Sequence, residues 1–128
     1  MAATVVALVD NLFFLAKIRE TAKSVGVAVV TGDGDLRRGL SAIAEAQPQV
    51  IFLDLNSHGL PGIDWIQALK ADPATRPIRI VAFVSHVQEE IISTARAAGC
   101  DAVMARSAFT QQLPNLLRNL VSEGEKEK

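Results

Sequence analysis

The feature that most constrains this chain is a regular alternation between short apolar runs and longer segments with helical spacing. Five runs are nearly continuous in apolar side chains: Thr4 to Val9, Gly26 to Thr31, Val50 to Leu53, Ile78 to Val84 and Ala102 to Ala105. Strands that are apolar on both faces are typical of a parallel sheet, and right-handed crossovers place helices over both sides of such a sheet. The pattern therefore predicts an α/β fold of the (βα)5 type, with a five-stranded parallel sheet and helices on both faces.

The segments between the apolar runs have the periodicity of amphipathic helices. Leu36, Leu40 and Ile43, for example, recur at intervals that place them on one helix face. The last helix contains Pro114, and because proline is tolerated mainly in the first turn, we expect this helix to begin near Thr110. Its buried stripe is then formed by Leu113, Leu116, Leu117 and Leu120.

The composition limits the classes of protein that fit. A chain of 128 residues, 49% of them hydrophobic, can build one sizeable core, so we expect one domain over residues 1–122 and a polar tail over 123–128. Thirteen basic and fourteen acidic side chains give no electrostatic footprint for nucleic acid or for a membrane surface. No apolar run approaches the roughly 20 residues that a membrane-spanning helix needs. With the single Cys100 and no signal-peptide pattern, the sequence indicates a cytoplasmic protein.

Polar side chains that could carry chemistry follow the ends of four of the five predicted strands. Ligands of open α/β sheets bind beyond the carboxyl ends of the strands, where all these residues would meet. Carboxylates, an amide, a hydroxyl and a cation at one edge suit a hard divalent cation together with a phosphoryl group. The residues are Asp10 and Asn11 after the first strand, Asp54 at the third, Ser85 and His86 after the fourth, and Arg106 and Ser107 after the fifth.

Both acidic residues in this set also have a purely structural explanation. Asp54 could cap a turn at the strand end, and Asp10 could be the N-cap of a helix that begins at Leu12. Taken singly, each carboxylate is better explained as a cap. Taken together, at the ends of two strands of one sheet, Asp10 and Asp54 indicate a site.

Four other features are explained better by structure than by chemistry. His58 and His86 have no partner at metal-ligand spacing, so we expect exposed loop residues and no zinc site. Cys100 follows a glycine turn and is interpreted as a small buried hydrophobe, and Trp65 as part of the apolar stripe of the third helix. The segment 32–35, Gly-Asp-Gly-Asp, lacks the spacing of a dinucleotide loop, so Asp35 or Asp33 is interpreted as the cap of the second helix.

Four short motifs occur in order along the chain: Leu8-Val9-Asp10-Asn11, Phe52-Leu53-Asp54-Leu55-Asn56, Leu60-Pro61-Gly62 and Ala97-Ala98-Gly99-Cys100-Asp101. In this order and spacing they resemble the receiver domain of two-component response regulators, from Thr4 to Val121. The resemblance implies a flavodoxin-like (βα)5 fold in which Asp54 accepts a phosphoryl group from a phosphohistidine of a sensor histidine kinase. It also implies a Mg2+ site, weak in this chain, at Asp10, Asp54 and Asn56.

Three positions depart from the family's pattern at the metal site and at the switch. The family usually has two acidic residues after the first strand, whereas here Asn11 replaces one of them. The loss of a charged ligand should weaken Mg2+ binding. The family's switch hydroxyl falls on Val84 and its aromatic partner falls on Val103, and Ser85 could supply the hydroxyl only if the loop shifts.

Two further departures follow the fifth strand. The family's lysine falls on Arg106, which keeps the charge for a phosphate contact but replaces an ammonium by a guanidinium fork. Ser107 stands where the family commonly has a proline after a cis peptide. Since a cis bond without proline costs about 2.5 to 4 kcal/mol, we expect a trans peptide and a rearranged loop.

These departures predict an atypical receiver domain with an impaired Mg2+-dependent switch, which acts in phosphorelay signalling by binding proteins and is not an enzyme. The intact Asp54 leaves open a second hypothesis, a receiver that a histidine kinase phosphorylates but that switches in an unusual way. A remote third is a flavodoxin-like enzyme or cofactor binder, although residues 11–14, Asn-Leu-Phe-Phe, are too bulky for a phosphate-cradling loop. The expected partners are a sensor histidine kinase or another signalling protein, and a second copy bound through the fourth helix, fifth strand and fifth helix.

Overall fold

Strands and helices alternate along the whole chain in the computed structural model, which describes residues 3–31, 36–56, 62–85 and 89–126, the last five by their backbone alone. The strands are β1 (Thr4–Leu8), β2 (Ala28–Thr31), β3 (Val50–Asp54), β4 (Arg79–Val84) and β5 (Ala102–Ala105). The helices are α1 (Leu12–Ser24), α2 (Leu36–Ala46), α3 (Gly62–Ala71), α4 (Glu89–Ala98) and α5 (Arg106–Lys126). The predicted (βα)5 alternation is confirmed, with small shifts at the strand ends.

The five strands form one parallel sheet in the order β2-β1-β3-β4-β5. In the register of this sheet Leu8 pairs with Leu53 on the neighbouring strand, and Asp54 pairs with Phe83. On the edge strand β5, Ala105 pairs with Val84, the last residue of β4. The carboxyl ends of β1, β3, β4 and β5 are therefore nearly level, so the residues that follow them share one edge.

The pleat of the strands divides the core into two layers. Val50 and Phe52 face a layer built with α1 and α5, whereas Ile51 and Leu53 face a layer built with α2, α3 and α4. Asp54 is the next residue on the α1/α5 side, because side chains alternate along β3. The carboxylate thus continues a buried series and does not turn outward at the strand end.

Helix α5 begins at Arg106, so the prediction of a start near Thr110 is wrong. The extra turn makes Phe109 helical and aligns it with Leu113 and the other buried leucines of α5. Phe109 is fully buried in a cluster of four phenylalanine rings, and this burial offsets the backbone hydrogen bond that Pro114 removes. Of the predicted stripe, Leu113, Leu117 and Leu120 are buried, and Leu116 is half-buried.

The contact between α2 and α3 requires a glycine. Trp65 of α3 is fully buried, as predicted, and its ring lies against the backbone of Gly39 in α2. A Cβ atom at position 39 would collide with the indole, so the close approach of the two helices depends on the missing side chain. The prediction that Trp65 serves packing is confirmed.

Turns at the amino-terminal edge of the sheet are joined by polar contacts. Lys70 Nζ donates to the carbonyl oxygens of Arg76 at 3.1 Å and Ile78 at 3.0 Å, and it lies 3.5 Å from Asp101 Oδ2. The same Asp101 oxygen accepts a hydrogen bond from the backbone N–H of Ile80 at 2.8 Å. These contacts link the end of α3 to the starts of β4 and β5.

Cys100 lies beside this network and is buried, as predicted. Its Sγ donates to the carbonyl oxygen of Ala102 at 3.1 Å, and burial raises the pKa of the thiol. The nearby Gly99 has a φ of 113°, which a side chain would strain, so the predicted glycine turn is confirmed.

Several sequence predictions lie outside the described residues, namely those for His58, His86, the segment 32–35 and Leu60-Pro61. The backbone of α5 continues to Lys126, into the segment expected to be a polar tail, and the domain division at residue 122 stays a prediction. None of the helices in the described part of the chain is long and apolar enough to cross a membrane.

Candidate functional site

Asp54 is the centre of the candidate site. It is the last residue of β3 and is only 2% exposed, with its side chain on the α1/α5 side of the sheet. A buried carboxylate is costly unless it is paired and hydrogen-bonded. The neighbours of Asp54 must therefore supply both a positive charge and hydrogen-bond donors.

Both oxygens of Asp54 have partners. Nη2 of Arg106 donates to Oδ2 at 3.2 Å, and the backbone N–H of Asn56 donates to Oδ1 at 2.9 Å. Arg106 is the first residue of α5 and follows the last residue of β5 directly, so the chain delivers the guanidinium from the same edge of the sheet. The predicted convergence of Asp54 and Arg106 is observed.

The guanidinium of Arg106 lies against an aromatic shelf, formed by the rings of Phe14 and Phe83. Its Cζ is 5.0 Å from the ring centroid of Phe14 and 5.9 Å from that of Phe83. The two rings are themselves in contact, with centroids 4.9 Å apart. A cation over an aromatic face is attracted to the ring quadrupole, so the shelf holds Arg106 in addition to its ion pair.

Asn11 is the N-cap of α1, so the structural alternative considered for Asp10 is not observed. Oδ1 of Asn11 accepts a hydrogen bond from the backbone N–H of Phe14 at 3.0 Å. Asp and Asn cap helices equally well, and the helix starts at Leu12, which leaves residue 11 in the cap position. The cap fixes the first turn of α1 and with it the backbone that carries the Phe14 ring. Asp10 precedes the cap and is exposed.

Asn56 joins the ends of β3 and β4. Its Oδ1 accepts a hydrogen bond from the backbone N–H of Ser85, while the neighbouring Leu55 N–H donates to the carbonyl of Phe83 at 3.0 Å. Ser85 is exposed, and its backbone makes this contact. The side-chain oxygen of Asn56 is thus used to hold the two strand ends together.

Val84 and Val103 are buried apolar residues. Val103 packs in the layer formed with α2, α3 and α4, and the pleat of β4 places Val84 on the same side as Ala82. This is the side of the sheet opposite to the Asp54 carboxylate. Neither position offers a hydroxyl group or an aromatic ring.

The connection after β5 is shorter than expected. All described peptide bonds are trans, including the bond between Arg106 and Ser107, as expected for serine. No loop separates the two elements, because β5 ends at Ala105 and α5 begins at the next residue. Ser107 is exposed in the first turn of α5.

The described side chains at the site offer a divalent cation few ligands in this arrangement. Mg2+ is held by few ligands, mainly carboxylate oxygens, and it keeps several waters. Here both oxygens of Asp54 are engaged by N–H donors, and the side-chain oxygens of Asn11 and Asn56 accept backbone hydrogen bonds. Across the part of the chain that is described, no group of three or more His, Cys, Asp or Glu side chains could hold a metal ion.

Phe14 is the site residue that the sequence analysis missed. It was interpreted only as part of a bulky segment, although it lies three residues after the N-cap, where a side chain can point back toward the strand ends. An aromatic residue at this position, together with an arginine after the fifth strand, is the signal that could have indicated the shelf.

No protein-family model matches this chain, and no curated protein matches it either. Solved structures do share its fold. The signal receiver domain of a DNA-binding response regulator (merR) from Colwellia psychrerythraea 34H is 18% identical with a TM-score of 0.80, and the match covers 94% of this chain and 98% of that one. The chemotaxis protein CheY4 of Vibrio cholerae is 20% identical with a TM-score of 0.79, over 94% and 99% of the two chains.

A third similar structure is the Mn2+-bound form of the response regulator Rcp1, which is 18% identical with a TM-score of 0.69, over 94% of this chain and 92% of that one. The resemblance to response-regulator receiver domains is therefore confirmed at the level of the fold. The predicted flavodoxin-like (βα)5 architecture is confirmed with it.

Proposed function

We propose that this chain is an atypical receiver domain in phosphorelay signalling, which lacks the standard Mg2+-dependent switch and acts by binding other proteins. The observation that carries this proposal is the pair formed by Asp54 and Arg106. The carboxylate stands at the end of the third strand of a receiver fold, but it is buried and already neutralised at 3.2 Å by a guanidinium.

This pair makes Asp54 a poor phosphoryl acceptor. To attack phosphorus, a carboxylate oxygen must be accessible to the donor, and cations must neutralise the charge that gathers on the transferred group. Arg106 and the N–H of Asn56 occupy the two oxygens, and Asn11 brings an amide where a second carboxylate would help to hold a cation. Phosphorylation under standard conditions should therefore be slow.

The positions of the usual switch support the same conclusion. A switch needs a group that contacts the phosphoryl oxygen and a bistable element that responds to it. Val84 and Val103 are buried apolar residues on the other side of the sheet, and Ser85 is held through its backbone by Asn56. These residues give Asp54 little means of reporting a modification.

An exposed apolar pair beside the site supports binding to proteins. Leu12 is 77% exposed and Phe13 is 92% exposed, both in the first turn of α1 at the carboxyl edge of the sheet. Large exposed apolar side chains at one spot are typical of protein contacts. We infer that a cytoplasmic signalling protein, such as a sensor histidine kinase, docks at this edge, and that a homodimer through α4, β5 and α5 is a second mode of assembly.

The second candidate function is a receiver that is still phosphorylated at Asp54 but switches in an unusual way. The intact carboxylate favours it, and so does Arg106, whose fork could contact phosphoryl oxygens. In either case the only covalent chemistry proposed for the chain is acceptance of a phosphoryl group, and no enzymatic turnover is expected.

Intact-mass measurement separates the two candidates. The protein is incubated with Mg2+ and a small phosphodonor, beside Asp54→Asn and a receiver domain with a complete acidic pair as the positive control. We expect the control receiver to gain the mass of one phosphate while this chain stays unmodified. A gain in this chain that disappears in Asp54→Asn would establish the second candidate instead.

The docking surface can be tested by binding to a panel of purified phosphotransfer domains of sensor kinases. Phe13→Ser should weaken any binding that is found by about tenfold, because an exposed aromatic anchor is lost. Val30→Ser is the matched control, since Val30 is also an exposed apolar residue but lies on β2 at the edge of the sheet. Equal effects of the two substitutions would contradict docking at α1.

A further inference from the structure

We propose that Arg106 takes the place of a divalent cation at Asp54, so that a metal ion can bind this carboxylate only after Arg106 has left it. The inference deepens the proposed function and rests on its assignment of Asp54 as the site. It concerns the resting state of the protein and holds whether or not the carboxylate is ever phosphorylated.

The first step is the use of the oxygen atoms at the site. One oxygen of Asp54 accepts from Arg106 and the other accepts from the N–H of Asn56. The side-chain oxygens of Asn11 and Asn56 accept from the N–H groups of Phe14 and Ser85. Each carboxylate oxygen keeps a further lone pair, so a metal ion could share Asp54 with the N–H of Asn56. It would, however, have to lie beside the guanidinium of Arg106, which is the one charged partner among these contacts.

The second step is what keeps Arg106 in place. Its guanidinium lies on the aromatic shelf of Phe14 and Phe83, and its backbone is fixed as the first residue of α5, directly after β5. The N-cap at Asn11 in turn fixes the turn that carries Phe14. The guanidinium therefore needs little reordering to meet Asp54, so the entropy lost in forming this pair is smaller than for a long side chain on an open surface.

The third step is the charge at the site. Asp54 and Arg106 sum to zero, and the Asp54 side chain is only 3% exposed. A divalent cation placed beside them would be repelled by the guanidinium, and water screens this repulsion only in part because the Arg106 side chain is 33% exposed. Among the described residues, other carboxylates also stand near this edge, and all of them are exposed: Asp10, Asp64, Glu89 and Glu90.

The test measures binding of Mn2+, which prefers the same hard oxygen ligands as Mg2+ and loses its sharp solution electron paramagnetic resonance signal when bound. The proteins compared are the wild type, Arg106→Gln, Asp54→Asn and the double variant Arg106→Gln with Asp54→Asn. Arg118→Gln is the matched control, because Arg118 is an exposed arginine on the same helix whose contact is Asn115.

We expect the wild type, Asp54→Asn and Arg118→Gln to bind Mn2+ equally weakly. Arg106→Gln should bind it about tenfold more tightly or better, because the repelling charge is gone and the carboxylate is left without a charged partner. The double variant should lose this gain. The proposal is overturned if the wild type binds Mn2+ in a way that Asp54→Asn abolishes, or if Arg106→Gln binds no better than Arg118→Gln.

Thermal unfolding gives a second readout that needs no spectroscopic signal from the metal. A ligand that binds only the folded protein raises the unfolding midpoint, so Mn2+ should stabilise Arg106→Gln and leave the wild type unchanged. If Arg106→Gln does not fold, the comparison of wild type with Asp54→Asn still tests the proposal, because equal Mn2+ binding supports it and unequal binding contradicts it.

The outcomes also separate this inference from the proposed function. Phosphorylation of the wild type in the presence of a chelator would contradict the proposal that Asp54 is no longer phosphorylated. It would nevertheless support a site that uses Arg106 in place of a metal ion. Mn2+ binding by the wild type that depends on Asp54 would overturn the inference whatever the mass experiment shows.

Discussion

Among the described residues, a carboxylate is paired with a cation at each edge of the sheet, and the two pairs differ in what surrounds them. At the carboxyl edge Asp54 and Arg106 are 3.2 Å apart with side chains 3% and 33% exposed. At the amino edge Asp101 and Lys70 are 3.5 Å apart with side chains 42% and 21% exposed. Water reaches both members of the amino pair but hardly reaches Asp54.

The difference lies also in the other partners of each charge. Lys70 donates to two backbone carbonyls and Asp101 accepts from a backbone N–H, so the amino pair serves mainly to join turns. Arg106 rests on aromatic rings, and its buried Nε has no hydrogen-bond partner within the described residues. The amino pair thus joins turns of the scaffold, whereas the carboxyl pair compensates a buried charge at the candidate site.

Removing the cation from each pair gives the largest expected contrast. Arg106→Met should lower the free energy of unfolding by about 3 kcal/mol, because it leaves Asp54 as an unpaired buried charge. Lys70→Met should cost about 1 kcal/mol, because Asp101 and the two carbonyls can turn to water. Urea denaturation followed by circular dichroism measures both. Equal losses would mean that burial does not distinguish the two edges.

The aromatic shelf gives the next effect in size. Phe14→Leu keeps most of the apolar volume but removes the ring that touches Arg106 and Phe83, so we expect a loss of about 1.5 kcal/mol. Phe13→Leu is the matched control, since Phe13 is 92% exposed and should change the stability by less than about 0.5 kcal/mol. A similar loss of unfolding free energy in both variants, measured by urea denaturation, would show that the aromatic shelf does not stabilise the fold.

Cys100 tests whether the amino edge is closed. Burial raises the pKa of its thiol, so at a given pH the folded protein holds less of the reactive thiolate than the unfolded chain does. At pH 8 the reaction with a thiol reagent should be slower in the folded protein than in urea. The ratio of the rate in urea to that in the folded protein should fall as the pH rises through the raised pKa. Equal reaction rates in the folded and unfolded states would show that the amino edge opens readily and exposes the Cys100 thiol.

Asn11→Asp should have the smallest effect on stability. Aspartate caps a helix as well as asparagine and suits the positive end of the helix dipole, so the free energy of unfolding should change by less than about 0.5 kcal/mol. Asn11→Ala, which loses the hydrogen bond to Phe14, should cost about 1 kcal/mol and serves as the contrast. A large loss of unfolding free energy in Asn11→Asp would show that a further negative charge at the carboxyl edge is unfavourable.

The fold could be predicted because its signals are local. Each strand is an apolar run bounded by turn residues, and the alternation of such runs with helical spacing leaves few arrangements other than a parallel sheet. The start of α5 could not be predicted in the same way. Phe109 becomes helical because three other phenylalanines surround it, and the local signal from Pro114 indicates a later start.

The candidate site was predicted in part for a similar reason. The rule for strand ends brought Asp54 and Arg106 to one edge without any structure. The choice of Asn11 over Asp10 as the cap depends on a shift of one residue, which residue types of equal capping preference cannot reveal. The shelf under Arg106 depends on Phe14 and Phe83, which are distant in sequence and meet only in the folded chain.

The burial of Trp65 against Gly39 has an optical consequence. Trp65 is the only tryptophan and the chain has no tyrosine, so emission excited at the indole band comes from a single residue. That residue lies in the layer of α2, α3 and α4, across the sheet from the Asp54 carboxylate. Its emission should shift to longer wavelength when the protein unfolds. Any shift in the folded protein after a phosphodonor is added would therefore indicate that modification of Asp54 changes the packing on the opposite side of the sheet.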